Sequence, residues 1–400
     1  MAHLVASIRG DDGFVPDRWR LLGVRLNGRT RRRSTGSWSY PLLLALAAGD
    51  SAGYSVIAPV LPELAARTNS GPAMMGALAS AFPAAMLIGF AAAGVLVRSG
   101  RIRPIVACSS AISIAGAVLF AVATDLPWLF AARALMGLGS GGLWIGVTFA
   151  TLAYWPGQEY LCMSRIYAAY SAGALLGPAL GALGGVARPF LAYAVLLALV
   201  TVGAVALPNV ATVFGSDRAV LRTRRFWVSV LAIMLAILAT GALDGVLPLH
   251  FALHLSQAQI GLAYVLVACL IAVGSVAAGH QSPGRMVALG AVAITVGVTV
   301  AGTTTTLLPW GVALLLIGLG IGAAQTGATG LLLAAVPMSR IVAALVVWSQ
   351  LGIVGYLAGP ALGGLIAQYL GFGALGLLPG AVVVVLLLLA GLARRGKAQR

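Results

Sequence analysis

Long apolar runs, one after another along nearly the whole chain, decide what this sequence can become. Twelve can be marked, at roughly residues 41–62, 73–97, 105–123, 127–152, 166–186, 190–210, 226–252, 258–279, 286–305, 309–335, 341–367 and 373–393. Most reach the ~20 residues that a helix needs to cross ~30 Å of hydrocarbon. They are continuous rather than alternating every second residue, so they read as helices and not as strands of a membrane barrel. With 60% apolar and 8% charged residues, and no room between segments for a water-soluble domain, the expected fold is an all-α membrane bundle.

The net charge of +16 would suit a nucleic-acid partner only if it were gathered on one polar domain. Instead the basic residues fall in short clusters: Arg29 to Arg33, Arg98/Arg101/Arg103, Arg218/Arg222/Arg224/Arg225, and Arg394/Arg395/Lys397/Arg400. If both termini are cytoplasmic, 22 of the 25 Lys and Arg lie inside, Arg67 and Arg188 lie outside, and Arg133 lies within segment 4. That is the positive-inside pattern of a multi-pass protein in the cell membrane, with a weak added role in touching anionic lipid heads. No nucleic-acid partner is expected. Residues 1–37 and 394–400 read as basic cytoplasmic tails, 38–211 and 226–393 as six-helix halves, and 212–225 as the loop between them. The three cysteines lack metal-type spacing and form no disulfide framework.

The two halves repeat. Gly173-Ala-Leu-Leu-Gly177-Pro178-Ala-Leu-Gly181 and Gly355-Tyr-Leu-Ala-Gly359-Pro360-Ala-Leu-Gly363 have their Gly-Pro pairs 182 residues apart. Met136-Gly-Leu-Gly139-Ser-Gly141 matches Ile317-Gly-Leu-Gly320-Ile-Gly322, and Val60-Leu-Pro62 matches Val246-Leu-Pro248. Three anchors at nearly one offset indicate a six-plus-six duplication, an architecture that secondary transporters use. The glycines at i, i+4 and i+8 share one helical face, where a neighbouring helix can approach backbone to backbone. Each proline removes an amide donor and is expected to bend its helix. Segments 5 and 11 are thus expected to act as bending seams and seals.

Chemistry is better sought where the repeat breaks. Arg133 corresponds to Leu314, Asp50 to Ala236, and Asp244 to Ala58. A charge at the centre of a membrane helix costs about 2.5–3.5 kcal/mol, so these three unpartnered would cost roughly 7–10 kcal/mol. Asp50 lies roughly 16 Å deep in segment 1 at 1.5 Å per residue. Desolvation disfavours its charged form and a nearby guanidinium favours it, so an acid whose surroundings alternate can load and release a proton. A fixed Asp50–Arg133 ion pair is the plainer alternative. Arg133, on one face with Gly137 and Gly141, sets the local field or ties backbone carbonyls together. Asp244, one turn before a proline, could bind a cationic group, carry a second proton, or face water at the outer vestibule.

Tyr54, Trp144, Tyr170, Gln325, Trp348 and Gln350 lie inside segments and could line a substrate cavity. An apolar cavity with a few polar groups suits lipophilic ligands, and an unpaired amide in lipid is costly. Gly137-x-Gly139-x-x-Gly142 spells a dinucleotide fingerprint but sits within an apolar helix, so no nucleotide cofactor is expected. His250 and His254 are one turn apart with no third ligand, so no metal site is expected. Zinc-protease and Walker A sequences are absent from the 400 residues, and no enzyme activity is expected.

Arg133-x-x-x-Gly137-x-Gly139 and Gly173-x-x-x-Gly177-Pro178-x-x-Gly181 resemble signatures of the major facilitator superfamily, the second being associated with antiporters. Asp50, the run Leu243-Asp244-Gly-Val-Leu-Pro248, and Gly185-Val-Ala-Arg-Pro189 resemble its drug:proton antiporter branch, in which the corresponding acids and arginine are tied to coupling or substrate. The resemblance implies proton-coupled export of small lipophilic molecules, a drug or a metabolite, by a monomer with two lobes that rock around a central cavity. An external proton would neutralise Asp50 and weaken its hold on Arg133. The family's inner-gate loop is represented by Gly94, Arg98, Gly100 and Arg101, but Val97 stands where an acid is usual. Uptake of a sugar, acid or other nutrient is the first rival, and a transport-dead receptor the second.

Overall fold

A computed structural model describes residues 38–97, 100–155, 158–204, 206–209, 223–279, 281–336 and 341–381. Within them the chain is all helical, in eleven spans that follow the first eleven apolar segments. The spans are α1 (Ser39–Thr68), α2 (Pro72–Leu96), α3 (Ile102–Val122), α4 (Leu126–Tyr154), α5 (Glu159–Gly181) and α6 (Ala187–Ala204). They continue as α7 (Arg224–Phe251), α8 (Gln257–Ala278), α9 (Pro283–Thr303), α10 (Leu307–Ala335) and α11 (Ile341–Leu370). Among the described residues, ten helices are long and apolar enough to cross a membrane. A 3-10 turn at Phe372–Gly376 opens segment 12. Most of that segment, both tails, Arg98 and residues 212–222 lie outside the described residues. Arg224 and Arg225, expected in the central loop, instead open α7.

Local chemistry sets the boundaries. Pro72 and Pro283 stand in the first turns of α2 and α9, where a missing N–H costs nothing. Ser256 caps α8 in a reciprocal capping box with Gln259. Asn69 ends α1 in the left-handed region, at φ 48°, a conformation that asparagine tolerates. The first span runs past its apolar stretch because its last two turns are amphipathic, with Glu63 and Arg67 paired on the exposed side.

Lipid supplies no hydrophobic force between helices, so close backbone packing at small residues holds the bundle. On α5, Gly173 meets the carbonyl of Ala48 and Gly181 meets Pro59, both on α1. On α11, Gly355 meets the carbonyl of Met234 and Gly359 that of Leu238, both on α7. Gly137 and Gly141 of α4 lie on the carbonyls of Phe82 and Met86 of α2. Gly318 and Gly322 of α10 lie likewise on Val267 and Ile271 of α8. One large core is built almost wholly from α1–α6, and two smaller ones chiefly from α7–α11. Both α5 and α11 continue through their prolines as unbroken helix.

Successive helices alternate in direction, so the turns near residues 69, 124, 184, 254 and 305 share the far end of the bundle, opposite Ser39. Contacts between the N-terminal and C-terminal helices gather toward that end. Gly76 of α2 abuts the Pro360 carbonyl of α11, and Gly261 of α8 abuts the Pro178 carbonyl of α5. Gln257 of α8 donates to the carbonyls of Gly181 (2.9 Å) and Gly185 (3.0 Å) and accepts from the Gly185 amide (3.0 Å). Gln368 of α11 accepts from the amide of Ala73 at 3.1 Å, and Ser80 of α2 donates to the carbonyl of Leu357 at 2.9 Å.

Candidate transport site

Asp50 sits in the second half of the first helical stretch of α1, Ser39–Ser55, and is 1% exposed. Neither carboxyl oxygen has a hydrogen-bond partner among the described residues. The Ser140 hydroxyl of α4 lies beside it but is directed at Met86 Sδ, 3.9 Å away. Tyr170 of α5 and Tyr193 of α6 are within its electrostatic reach.

The expected Asp50–Arg133 ion pair does not form. Among the described residues the one ion pair is Glu63–Arg67. Arg133 is fully buried, donates to the carbonyls of Gly53 (3.1 Å) and Tyr54 (3.4 Å), and lies 4.7 Å over the Phe82 ring. The cause is a break in α1. The helix passes into a 3-10 turn at Ala58–Val60, and the amides of Ile57 and Ala58, which in a continuous helix would serve Gly53 and Tyr54, make no such bond. The carbonyls of the preceding turn are short of donors, and the guanidinium fork supplies two.

The predicted cavity residues fall into two groups. Tyr54 packs on Tyr356 (4.4 Å between centroids) and on Phe82 (5.6 Å), with its hydroxyl buried and unpartnered. Asp244, 8% exposed on α7, has Tyr54, Tyr264 and Tyr356 within electrostatic reach. Trp144 packs edge-on against Tyr170 (5.0 Å) and Tyr167 (5.3 Å). Tyr167 in turn meets Ser349 of α11. Trp348 is buried with its indole N–H unpartnered. Gln325 and Gln350 are half-buried and join neither group by a hydrogen bond among the described residues.

The inner-gate residues are not all in a loop. Gly94 is on the last turn of α2 with open space beside it, while Gly100 takes a left-handed backbone (φ 71°) just before Arg101. The two histidines also part. His250 Nε2 bonds the Thr304 carbonyl at 2.9 Å between the Phe372 and Trp310 rings, and His254 lies against Trp310. No metal-holding cluster occurs among the described residues.

The family model of the Major Facilitator Superfamily matches residues 43–354, well over half of the chain. The chain belongs to the Major Facilitator Superfamily. Solved structures share the fold. A bacterial homologue of the human lysosomal transporter Spinster, inward-facing and occupied, is 16% identical and superposes with a TM-score of 0.71 over 90% of this chain and 97% of that one. A POT family transporter in complex with a thioalcohol-conjugated peptide is 11% identical, with a TM-score of 0.68 over 89% and 96%. A second POT structure, in complex with 5-aminolevulinic acid, is also 11% identical, with a TM-score of 0.69 over 89% and 96%. No curated protein matches the sequence. A facilitator of this family is a multi-pass transporter rather than an enzyme.

Sequence reasoning missed five residues of this facilitator's interior: Tyr167, Tyr193, Tyr264, Tyr356 and Ser113. Tyr193 seats its ring and hydroxyl against Gly53, where a side chain would collide with it, and pairs with the Ser113 hydroxyl at 3.0 Å. A signal was available, because Ser113 stands where the repeat has Ile294.

Proposed function

We propose that this facilitator is a proton-coupled exporter of small lipophilic molecules, in which Asp50 carries the proton and the far end of the bundle faces outside. The observation that carries the reading is the Asp50 carboxyl itself, buried and without a donor in a helix whose repeat partner has Ala236 at that position. A carboxylate left so would be costly, whereas a neutral acid would not. On this reading the contacts gathered at the far end correspond to an outward-closed state in which the proton awaits release inside.

The substrate would bind among Tyr54, Tyr356, Trp144 and Tyr170, which offer flat apolar walls with few polar groups. Asp244 would select for molecules with a cationic end, since its carboxylate borders the tyrosine group. Arg133 would act as a fixed splint for the broken turn of α1 rather than as a partner that Asp50 must release. The chain is expected to work as a monomer.

The test uses everted membrane vesicles and a panel of lipophilic fluorescent compounds. An imposed inward-acid gradient should drive accumulation, and Asp50→Asn should abolish the gradient-driven part while leaving downhill exchange. Full gradient-driven accumulation by Asp50→Asn would end the proposal. Accumulation only in right-side-out vesicles would favour nutrient uptake instead.

A further inference from the structure

We propose that Tyr193 and Ser113 form a proton exit from Asp50 through the interior of the N-terminal helices, separate from the aromatic walls offered to substrate. The inference rests on the reading of Asp50 as the proton carrier. Three observations support it: the Tyr193–Ser113 contact beside Gly53, burial and asymmetry.

The Tyr193 hydroxyl is seated against Gly53 of α1, one turn from Asp50 on the same helix. It lies within electrostatic reach of that carboxyl and pairs with Ser113 Oγ at 3.0 Å. From Ser113 further hydroxyls continue toward the near end. Ser110 and Ser109 stand one turn along α3. Asp50, Tyr193, Ser113 and Ser110 are each at most 1% exposed, and the Ser110 hydroxyl has no partner among the described residues. Four polar side chains buried in one apolar interior are a large expense for mere packing.

The other side of the molecule supplies the control. Gly139 of α4 lies against Ser109 and Ser113 of α3, and its repeat partner Gly320 of α10 lies against Gly290 and Ile294 of α9. The backbone contact is the same in both places. The positions of Ser109, Ser110 and Ser113 are taken there by Gly290, Ala291 and Ile294. Hydroxyls therefore are not needed to hold this helix pair together. At these three matched positions hydroxyls occur only in the half that carries Asp50.

A hydroxyl can accept and donate at once, so the exit conserves every group. The Asp50 O–H gives its proton to the Tyr193 oxygen as Tyr193 gives its own to Ser113, and Ser113 hands one on toward the near end. One proton leaves, Asp50 becomes a carboxylate, and the hydroxyls are restored. The Asp50–Tyr193 link is open in this state, so the carboxyl must reach the phenol for the transfer to occur. Ser140 of α4 and Tyr170 of α5 are the other polar groups around the acid.

The test needs no substrate. Infrared spectra of the purified full chain in lipid are followed after exchange from H2O into D2O. The protonated carboxyl band that disappears in Asp50→Asn belongs to Asp50, and its shift rate measures proton access. Backbone amide exchange in the same spectra reports any general loosening. Tyr193→Phe and Ser113→Ala should each slow the carboxyl shift by about tenfold or more with amide exchange unchanged, since the proton must then await local opening. An unchanged carboxyl rate in both variants would overturn the exit and leave the Asp50 reading standing. Absence of any Asp50-dependent carboxyl band would overturn that reading, and the exit with it.

Discussion

Gln257 offers the sharpest way to ask what holds the far end shut. Its carboxamide makes three hydrogen bonds across the seam, two donated to the carbonyls of Gly181 and Gly185 and one accepted from the Gly185 amide, all at 2.9–3.0 Å. A net neutral hydrogen bond contributes about 0.5–1.5 kcal/mol. The side chain is half-buried, and water takes over part of its bonding once the seam parts, so the lower figure applies. Three such bonds give about 1.5 kcal/mol, close to a tenfold change in the ratio of open to closed far ends. Gln257→Ala should raise the open fraction by about that factor. Gln257→Glu should raise it further at neutral pH, because a carboxylate oxygen would face two carbonyl oxygens where an amide now donates.

The open fraction can be read by alkylation. Ser80 is 5% exposed and bonds the Leu357 carbonyl across the same seam, so Ser80→Cys reports opening with little change in volume. Cys108, Cys162 and Cys269 are first replaced by serine. While opening is fast relative to labelling, the rate of reaction with a membrane-impermeant maleimide follows the open population. Equal labelling rates in the Gln257, Gln257→Ala and Gln257→Glu backgrounds would refute the claim that this amide holds the far end closed.

The apolar runs and glycine spacing made the bundle legible, because helices in lipid need length and small residues at contacts. The offset of the Gly-Pro pairs anticipated matched packing, which the structure shows as Gly173 on Ala48 and Gly355 on Met234. The charges were legible as residues to explain, but not in their pairing. Arg133 goes to Gly53 and Tyr54 because α1 breaks at Ala58–Val60, and a break within an apolar run leaves no trace in hydropathy. Pro59 and Pro62 within segment 1 were the available sign. Serine and tyrosine inside such runs are equally silent to hydropathy, which is why Ser113 and Tyr193 emerged only once the helices were packed.

Gly177→Ala should lower the melting temperature of the purified protein, since its Cβ would meet Ser55 Oγ and the Ala52 carbonyl on α1. Overpacking of this kind costs about 1–3 kcal/mol. Gly94→Ala, with open space beside it inside α2, should instead raise stability by about 0.5–1 kcal/mol through helix propensity, and a loss there would contradict its placement. Arg133→Lys distinguishes a splint from a mere charge. An ammonium keeps the charge but loses the fork that serves both the Gly53 and Tyr54 carbonyls and the flat stack on Phe82. If the guanidinium is needed to satisfy the broken turn, Lys should destabilise the fold by about 1–3 kcal/mol, seen as a lower melting temperature. If only a positive field near Asp50 mattered, Arg133→Lys would melt as the parent does and keep gradient-driven transport, and the splint would be the wrong description.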